Sequence, residues 1–169
     1  MKLNDPPIHL AALHWHIGVV KILINEFDAN PEERGGDNRT LLHTACVGGN
    51  TELIHYLSTK YSRLLDIRDK HNNTPLHLAA WQGRMGVVLI LINEFNCSTK
   101  EIGDEDRTLL RSACIGGNPK LVNYLLSKFD HDPLSVNKVD FNCFHSAIIY
   151  GKEEVVQLLA TKYNFLVET

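Results

Sequence analysis

Residues 74–80 read Thr74-Pro75-Leu76-His77-Leu78-Ala79-Ala80, and Gly83 follows after two further residues. A threonine hydroxyl ahead of an apolar run can accept a bond from a free amide of a first helical turn. Proline beside it fits the first helical position, where its missing N–H has no partner to lose. Residues 76–80 then read as a short helix whose small side chains let another element come close. Gly83 ends it.

The phrase recurs along the chain. From His9, steps of 34 residues land on His43, His77, Arg111 and His145. Ala11, Ala45, Ala79, Ala113 and Ala147 share a second phase, and Phe27, Tyr61, Phe95, Phe129 and Tyr163 a third. Asn4, Asn38, Asn72, Asp106 and Asp140 form a polar column, and Gly49, Gly83, Gly117 and Gly151 a glycine column in which Trp15 is the exception. Coincidence across so many columns establishes an internal repeat, the first thing to look for in any sequence. A double period of 68 lies over it. Pro7-Ile8-His9-Leu10-Ala11-Ala12 matches Pro75-Leu76-His77-Leu78-Ala79-Ala80, and Arg39-Thr40-Leu41-Leu42 matches Arg107-Thr108-Leu109-Leu110. Odd and even units read as copies of one duplicated pair.

Each unit carries two helices. Asn118-Pro119 repeats the cap-then-proline signal, and Leu121, Val122, Leu125 and Leu126 lay an apolar stripe at helical spacing. This second helix is expected to stop at Asp28, Ser62, Asn96, Asp130 or Asn164, mostly residue types that tolerate a left-handed conformation. A β-turn or short hairpin is expected at the polar column.

Helix, turn, helix and hairpin with a Thr-Pro-Leu-His phrase resembles the ankyrin repeat, and the resemblance covers essentially all of residues 1–169. The expected fold is an all-α repeat solenoid forming a single domain, with units at about 1–34, 35–68, 69–102, 103–136 and 137–169. The sequence departs from the family in its 34-residue period where about 33 is usual, in Asn or Asp at the turn glycine, in Arg111 at a histidine and in Trp15 at a glycine. The resemblance implies that His9, His43, His77 and His145 brace neighbouring turns by hydrogen bonds, a structural role.

Other chemistry-bearing groups read as scaffold. His14 and His16, two apart, do not share a helical face. Asp130-His131-Asp132 precedes Pro133 in a loop. Gly48-Gly49 and Gly116-Gly117 lack the following Lys and hydroxyl of a phosphate loop. Cys46 and Cys114 share the column of Ala12 and Ala80, so they read as small core residues. The column Glu26, Lys60, Glu94, Lys128, Lys162 is expected to add minor ion pairs between units. Neither a catalytic group, a metal nor a cofactor is expected.

The resemblance implies that contacts to a partner are made by the residues flanking each turn and by the two after the Ala-Ala pair. The second set comprises Leu13 and His14, Val47 and Gly48, Trp81 and Gln82, Ile115 and Gly116, and Ile149 and Tyr150. The turn set comprises Asp37 and Arg39; Lys70, His71 and Asn73; Asp104, Glu105 and Arg107; and Lys138, Val139 and Phe141. Leu13, Val47, Trp81, Ile115 and Ile149 are expected to form an exposed apolar ladder, with Trp81 as anchor and Tyr150 and Phe141 secondary. The alternative is that these side chains fold against the adjacent hairpin.

Composition agrees with a protein partner. The 169 residues are 44% hydrophobic and 22% charged with a net charge of -3, and no basic run favours nucleic acid. The longest aliphatic run, residues 87–92, is far short of a membrane span, and residues 1–7 lack the apolar centre of a signal peptide. Four cysteines without CxxC spacing favour a reducing, cytoplasmic setting. Of the sequons at Asn38, Asn72 and Asn96, two fall in expected tight turns. The first unit is as apolar as the third, and the last ends in Phe165-Leu166-Val167, which points to a longer array or to self-association through the N-terminal unit. The expected role is an interaction module of scaffold or adaptor type. The alternatives are a regulatory or targeting domain of a larger enzyme or channel, and a phage or symbiont effector acting on host signalling.

Overall fold

In a computed structural model, residues 5–163 are described. Asn4, Asn164 and Phe165-Leu166-Val167 lie outside them. The described residues form ten α-helices in five pairs: α1 (Pro7–Leu13) with α2 (Ile17–Glu26), α3 (Leu41–Gly48) with α4 (Thr51–Lys60), α5 (Pro75–Trp81) with α6 (Met85–Asn93), α7 (Leu109–Gly116) with α8 (Pro119–Lys128), and α9 (Cys143–Ile149) with α10 (Glu153–Tyr163). The first helices pack in sequence order, α1 on α3, α3 on α5, α5 on α7 and α7 on α9, and each second helix packs on its own first helix. The result is an all-α solenoid.

Local chemistry sets the helix starts. Thr74 Oγ1 accepts from the His77 amide, and Pro75 occupies the first turn. Asn118 Oδ1 accepts from the amides of Lys120 and Leu121 at 3.1 and 3.2 Å, and Asn50 Oδ1 from Leu53 at 3.1 Å. First helices end on left-handed residues: Gly49, Gly83, Gly117 and Gly151 all have positive φ, and Trp15 adopts the same conformation at φ 67°. A side chain there is strained. The Trp15 indole N–H donates to the Gly48 carbonyl at 2.9 Å, so the exception is tied to the end of the next first helix.

The second-helix stops differ from expectation in part. Asp28 and Asn96 are left-handed, at φ 52° and 53°. Ser62 instead opens a 3-10 turn over Ser62–Leu65, which carries Leu64 into the core, and Asp130 is not left-handed. The polar column turns as expected: Asn38, Asn72, Asp106 and Asp140 all have positive φ. Each turn closes on itself by a bond from the amide of Gly35, Asp69, Gly103 or Asn137 to the carbonyl four residues on, at 2.9–3.1 Å. No strand forms among the described residues.

Leu41, Leu42, Leu53, Ile54, Leu57, Leu91, Leu109, Leu110, Leu121, Leu125 and Leu159 are fully buried with Ala12, Ala45, Ala80, Ala113 and Ala147. Burying one such leucine is worth roughly 1.5–3 kcal/mol, which outweighs any surface ion pair. The expected charge column contributes little: Lys60 Nζ reaches Asn25 Oδ1 at 2.9 Å, and Glu94 faces His55 at 3.6 Å.

Candidate functional site

Within the histidine column, His9, His43 and His77 brace neighbouring units. In His43, Nδ1 accepts from the Thr40 amide at 3.2 Å, and Nε2 lies 3.1 Å from the Asn73 carbonyl in the following turn. A carbonyl only accepts, so Nε2 carries the proton and the ring is neutral. His77 repeats this with Thr74 Oγ1 at 2.9 Å and the Glu101 carbonyl at 3.1 Å. His9 reaches Thr44 Oγ1 at 2.9 Å and the Glu33 carbonyl at 3.1 Å. Burial outweighs these favourable bonds and pushes the pKa of His43 and of His77 down to about 4. His145, on the last first helix, is exposed and bonded to Asn142 of its own cap. Arg111 turns backward to the Glu105 carbonyl at 3.4 Å.

The thiols are not poised to react. Cys46, Cys114 and Cys143 are buried. Burial raises the Cys46 thiol far above its ordinary value and pushes Cys97 up to about 11. Among the described residues no cluster of three or more His, Cys, Asp or Glu side chains could hold a metal ion, and no helix is long and apolar enough to cross a membrane.

The expected contact residues separate by burial. His14, Lys70, Gln82, Glu105, Lys138, Val139, Phe141, Ile149 and Tyr150 are exposed, while Leu13, Asp37, Arg39, Val47, His71, Trp81 and Asp104 are half-buried. Asn73, Arg107 and Ile115 are buried, at 0%, 7% and 4% exposure. These three are corrections to the expected contact set, and the apolar ladder is not a continuous exposed strip. The cause is Trp81. Its ring lies over the Arg107 guanidinium, with 4.3 Å from Cζ to the ring centroid, spanning the third and fourth units. A cation against an indole face is attracted by the ring quadrupole. The stacking leaves Trp81 as a strut of the array first. Trp81→Ala is therefore expected to cost about 2–3 kcal/mol in urea unfolding. An unchanged midpoint would remove Trp81 from the packing.

Ion pairs and polar contacts tie neighbouring turns together. Lys70 Nζ meets Asp37 at 2.5 Å, and the Lys70 amide donates to the Asp37 carbonyl at 2.8 Å. Arg39 sits between Asp37 and the buried Asp69 at 3.6 and 3.7 Å, His71 faces Asp104 at 3.3 Å, and Lys138 faces Asp106 at 3.4 Å. A second clamp escaped the sequence reading. Arg34 Nη1 donates to Asn38 O in its own turn and to Arg68 O in the next, at 2.9 and 3.3 Å, and Arg68 Nη1 does the same to Asn72 O and Ile102 O, at 2.8 and 2.9 Å. The two arginines are 34 residues apart, so the signal was present as a column. The same column continues as Ile102 and Val136, which are exposed and have no guanidinium to donate.

A family profile described as ankyrin repeats (3 copies) matches residues 8–101. The chain belongs to the ankyrin-repeat family. The matched span holds the Thr-Pro-Leu-His phrase and its braced histidines, and α7–α10 carry the same ankyrin packing beyond it. No curated protein matches the chain. Ankyrin repeats are generally protein–protein interaction modules and are typically non-catalytic.

Proposed function

We propose that this ankyrin array is a scaffold or adaptor that binds a partner protein on its concave face, in a reducing compartment. The observation that carries this reading is the cluster at its C-terminal end. Val139, Phe141, Ile149 and Tyr150 are 58%, 40%, 59% and 48% exposed, contributed by the last turn and the last first helix. Exposed apolar side chains gathered on one surface mark interaction sites, and tyrosine is a favoured anchor. Phe141 stacks on His145, with centroids 5.5 Å apart and planes 15° apart, so its ring is held in place before any partner arrives. Lys138, next to Val139 in the last turn, adds an exposed charge, and the anchor role moves from Trp81 toward Tyr150.

The test compares wild type with an Ile149→Ser/Tyr150→Ser chain in cross-linking capture followed by mass spectrometry. Both side chains are exposed, so thermal unfolding should change by no more than about 0.5 kcal/mol. A captured protein that depends on this face should fall roughly tenfold or more. Undiminished capture by a folded variant would sink the concave-face reading.

A further inference from the structure

We propose that a cleft between the first and second units seats a tryptophan side chain of the partner protein. This rests on the concave-face reading above. The cleft has a volume of about 260 Å³ and is lined by Asp5, Leu13, Asp37, Arg39, Thr44 and Val47. Adding the 68-residue double period to these residues gives, in the same order, Asn73, Trp81, Glu105, Arg107, Ser112 and Ile115. The equivalent place between the third and fourth units is therefore the one that Trp81 occupies.

The two places share a floor and differ in what covers it. Between the third and fourth units the indole lies on the Arg107 guanidinium at 4.3 Å, and Asn73, Arg107, Ser112 and Ile115 are all buried. Between the first and second units the column holds Leu13, which has no ring. There Asp5, Arg39, Thr44 and Val47 stay half-buried. The Arg39 guanidinium is held by Asp37 and Asp69 at 3.6 and 3.7 Å, and among the described residues no ring stacks on it. A dry cavity of about 150 Å³ accommodates benzene, so 260 Å³ leaves room for the two-ring indole. The array thus carries, in its own third unit, a picture of the ligand that its first unit lacks.

The test uses the full chain with labelled Leu, Val and Ile methyl groups, titrated with N-acetyl-L-tryptophanamide. Leu13 and Val47 methyl signals should shift upfield and saturate at millimolar probe. Leu13→Trp fills the seat from within, so probe affinity should fall roughly tenfold or more. Trp81→Leu opens the second seat, so the Ile115 methyl should acquire a saturable shift absent from wild type. This second variant keeps the proposal falsifiable should Leu13→Trp misfold. No saturable shift at Leu13 and Val47 in wild type, equal affinity in folded Leu13→Trp, or no new site in folded Trp81→Leu would each overturn it. Shifts that appear on concentrating the chain alone would assign the seat to a second copy and overturn the partner assignment. In the capture experiment, Leu13→Trp should also lose the partner. Retained capture by that variant overturns the seat as a partner site, while the Ile149/Tyr150 exchange reports the concave-face reading separately.

Discussion

Gly116→Ala should lower the stability of this chain by roughly 3 kcal/mol, the upper part of the range for an overpacked site. At this chain length that is a fall of about 6–12 °C in the thermal midpoint. The added methyl would stand 2.3 Å from the Ala80 carbonyl oxygen, 2.8 Å from the Gly83 amide nitrogen and 2.9 Å from the Trp81 carbonyl oxygen. All three are backbone atoms, so no side chain can swing aside, and the fourth unit must move off the third. Gly48 makes the same close approach one double period earlier, where a methyl would meet the Leu13 carbonyl oxygen at 2.9 Å. Repeat arrays gain stability from nearest-neighbour interfaces, so the damage should be local. Amide exchange should quicken first in α7–α10, while α1–α4 keep their protection. Gly86→Ala is the contrasting control. It lies inside α6 with only Thr51 Cγ2 as near as 4.0 Å, and alanine there should stabilise by roughly 0.5–1 kcal/mol. Equal effects of the two substitutions would show that backbone contact between units is not what Gly116 serves.

The same glycine shows how far the sequence alone could go. Its column reads His14, Gly48, Gln82, Gly116 and Tyr150, and the alternation was visible as part of the double period. Its meaning was not, because a close approach between the backbones of neighbouring units leaves no mark within one unit. The first helices and their caps were legible because each depends on residues a few positions apart, and their repetition multiplied the signal; the bracing by His9, His43 and His77 spans 24 to 35 residues and was expected only from the family resemblance. Burial along the contact face was not legible for the opposite reason. Ile115 and Val47 occupy one column and are both aliphatic, yet one is buried and the other half-exposed. The residue that precedes them in the stack also differs, Trp81 before Ile115 and Leu13 before Val47, and no pattern inside one unit records that pairing. Residue type alone marks Trp81 as an anchor, whereas its stacking on Arg107 exists only where the third and fourth units meet.

Acid should unfold the array, and His43 and His77 should account for most of the effect. Each ring is buried, and each is held neutral by a threonine on one nitrogen and a carbonyl of the following turn on the other. Desolvation outweighs the stabilising Asn73 and Glu101 carbonyls and lowers both folded-state values from 6.5 to about 4. The unfolded chain takes up these protons near pH 6.5, while the folded chain resists them until about pH 4. Between those limits the unfolded state binds more protons, so stability rises with pH and falls as pH drops. The contribution is fully present above about 6.5 and gone below about 4. Each ring is worth on the order of 3 kcal/mol across that window, and the pair approaches the whole stability of a typical domain. His77→Gln gives the decisive comparison, because the amide can still donate to the Glu101 carbonyl but does not titrate. Its stability at pH 7 should fall by about 1 kcal/mol, and its slope between pH 6.5 and 4 should flatten by close to one proton in urea unfolding. A His77→Gln chain as steep as wild type over that window would mean that acid acts elsewhere. The buried rings would then be mere spacers between neighbouring turns.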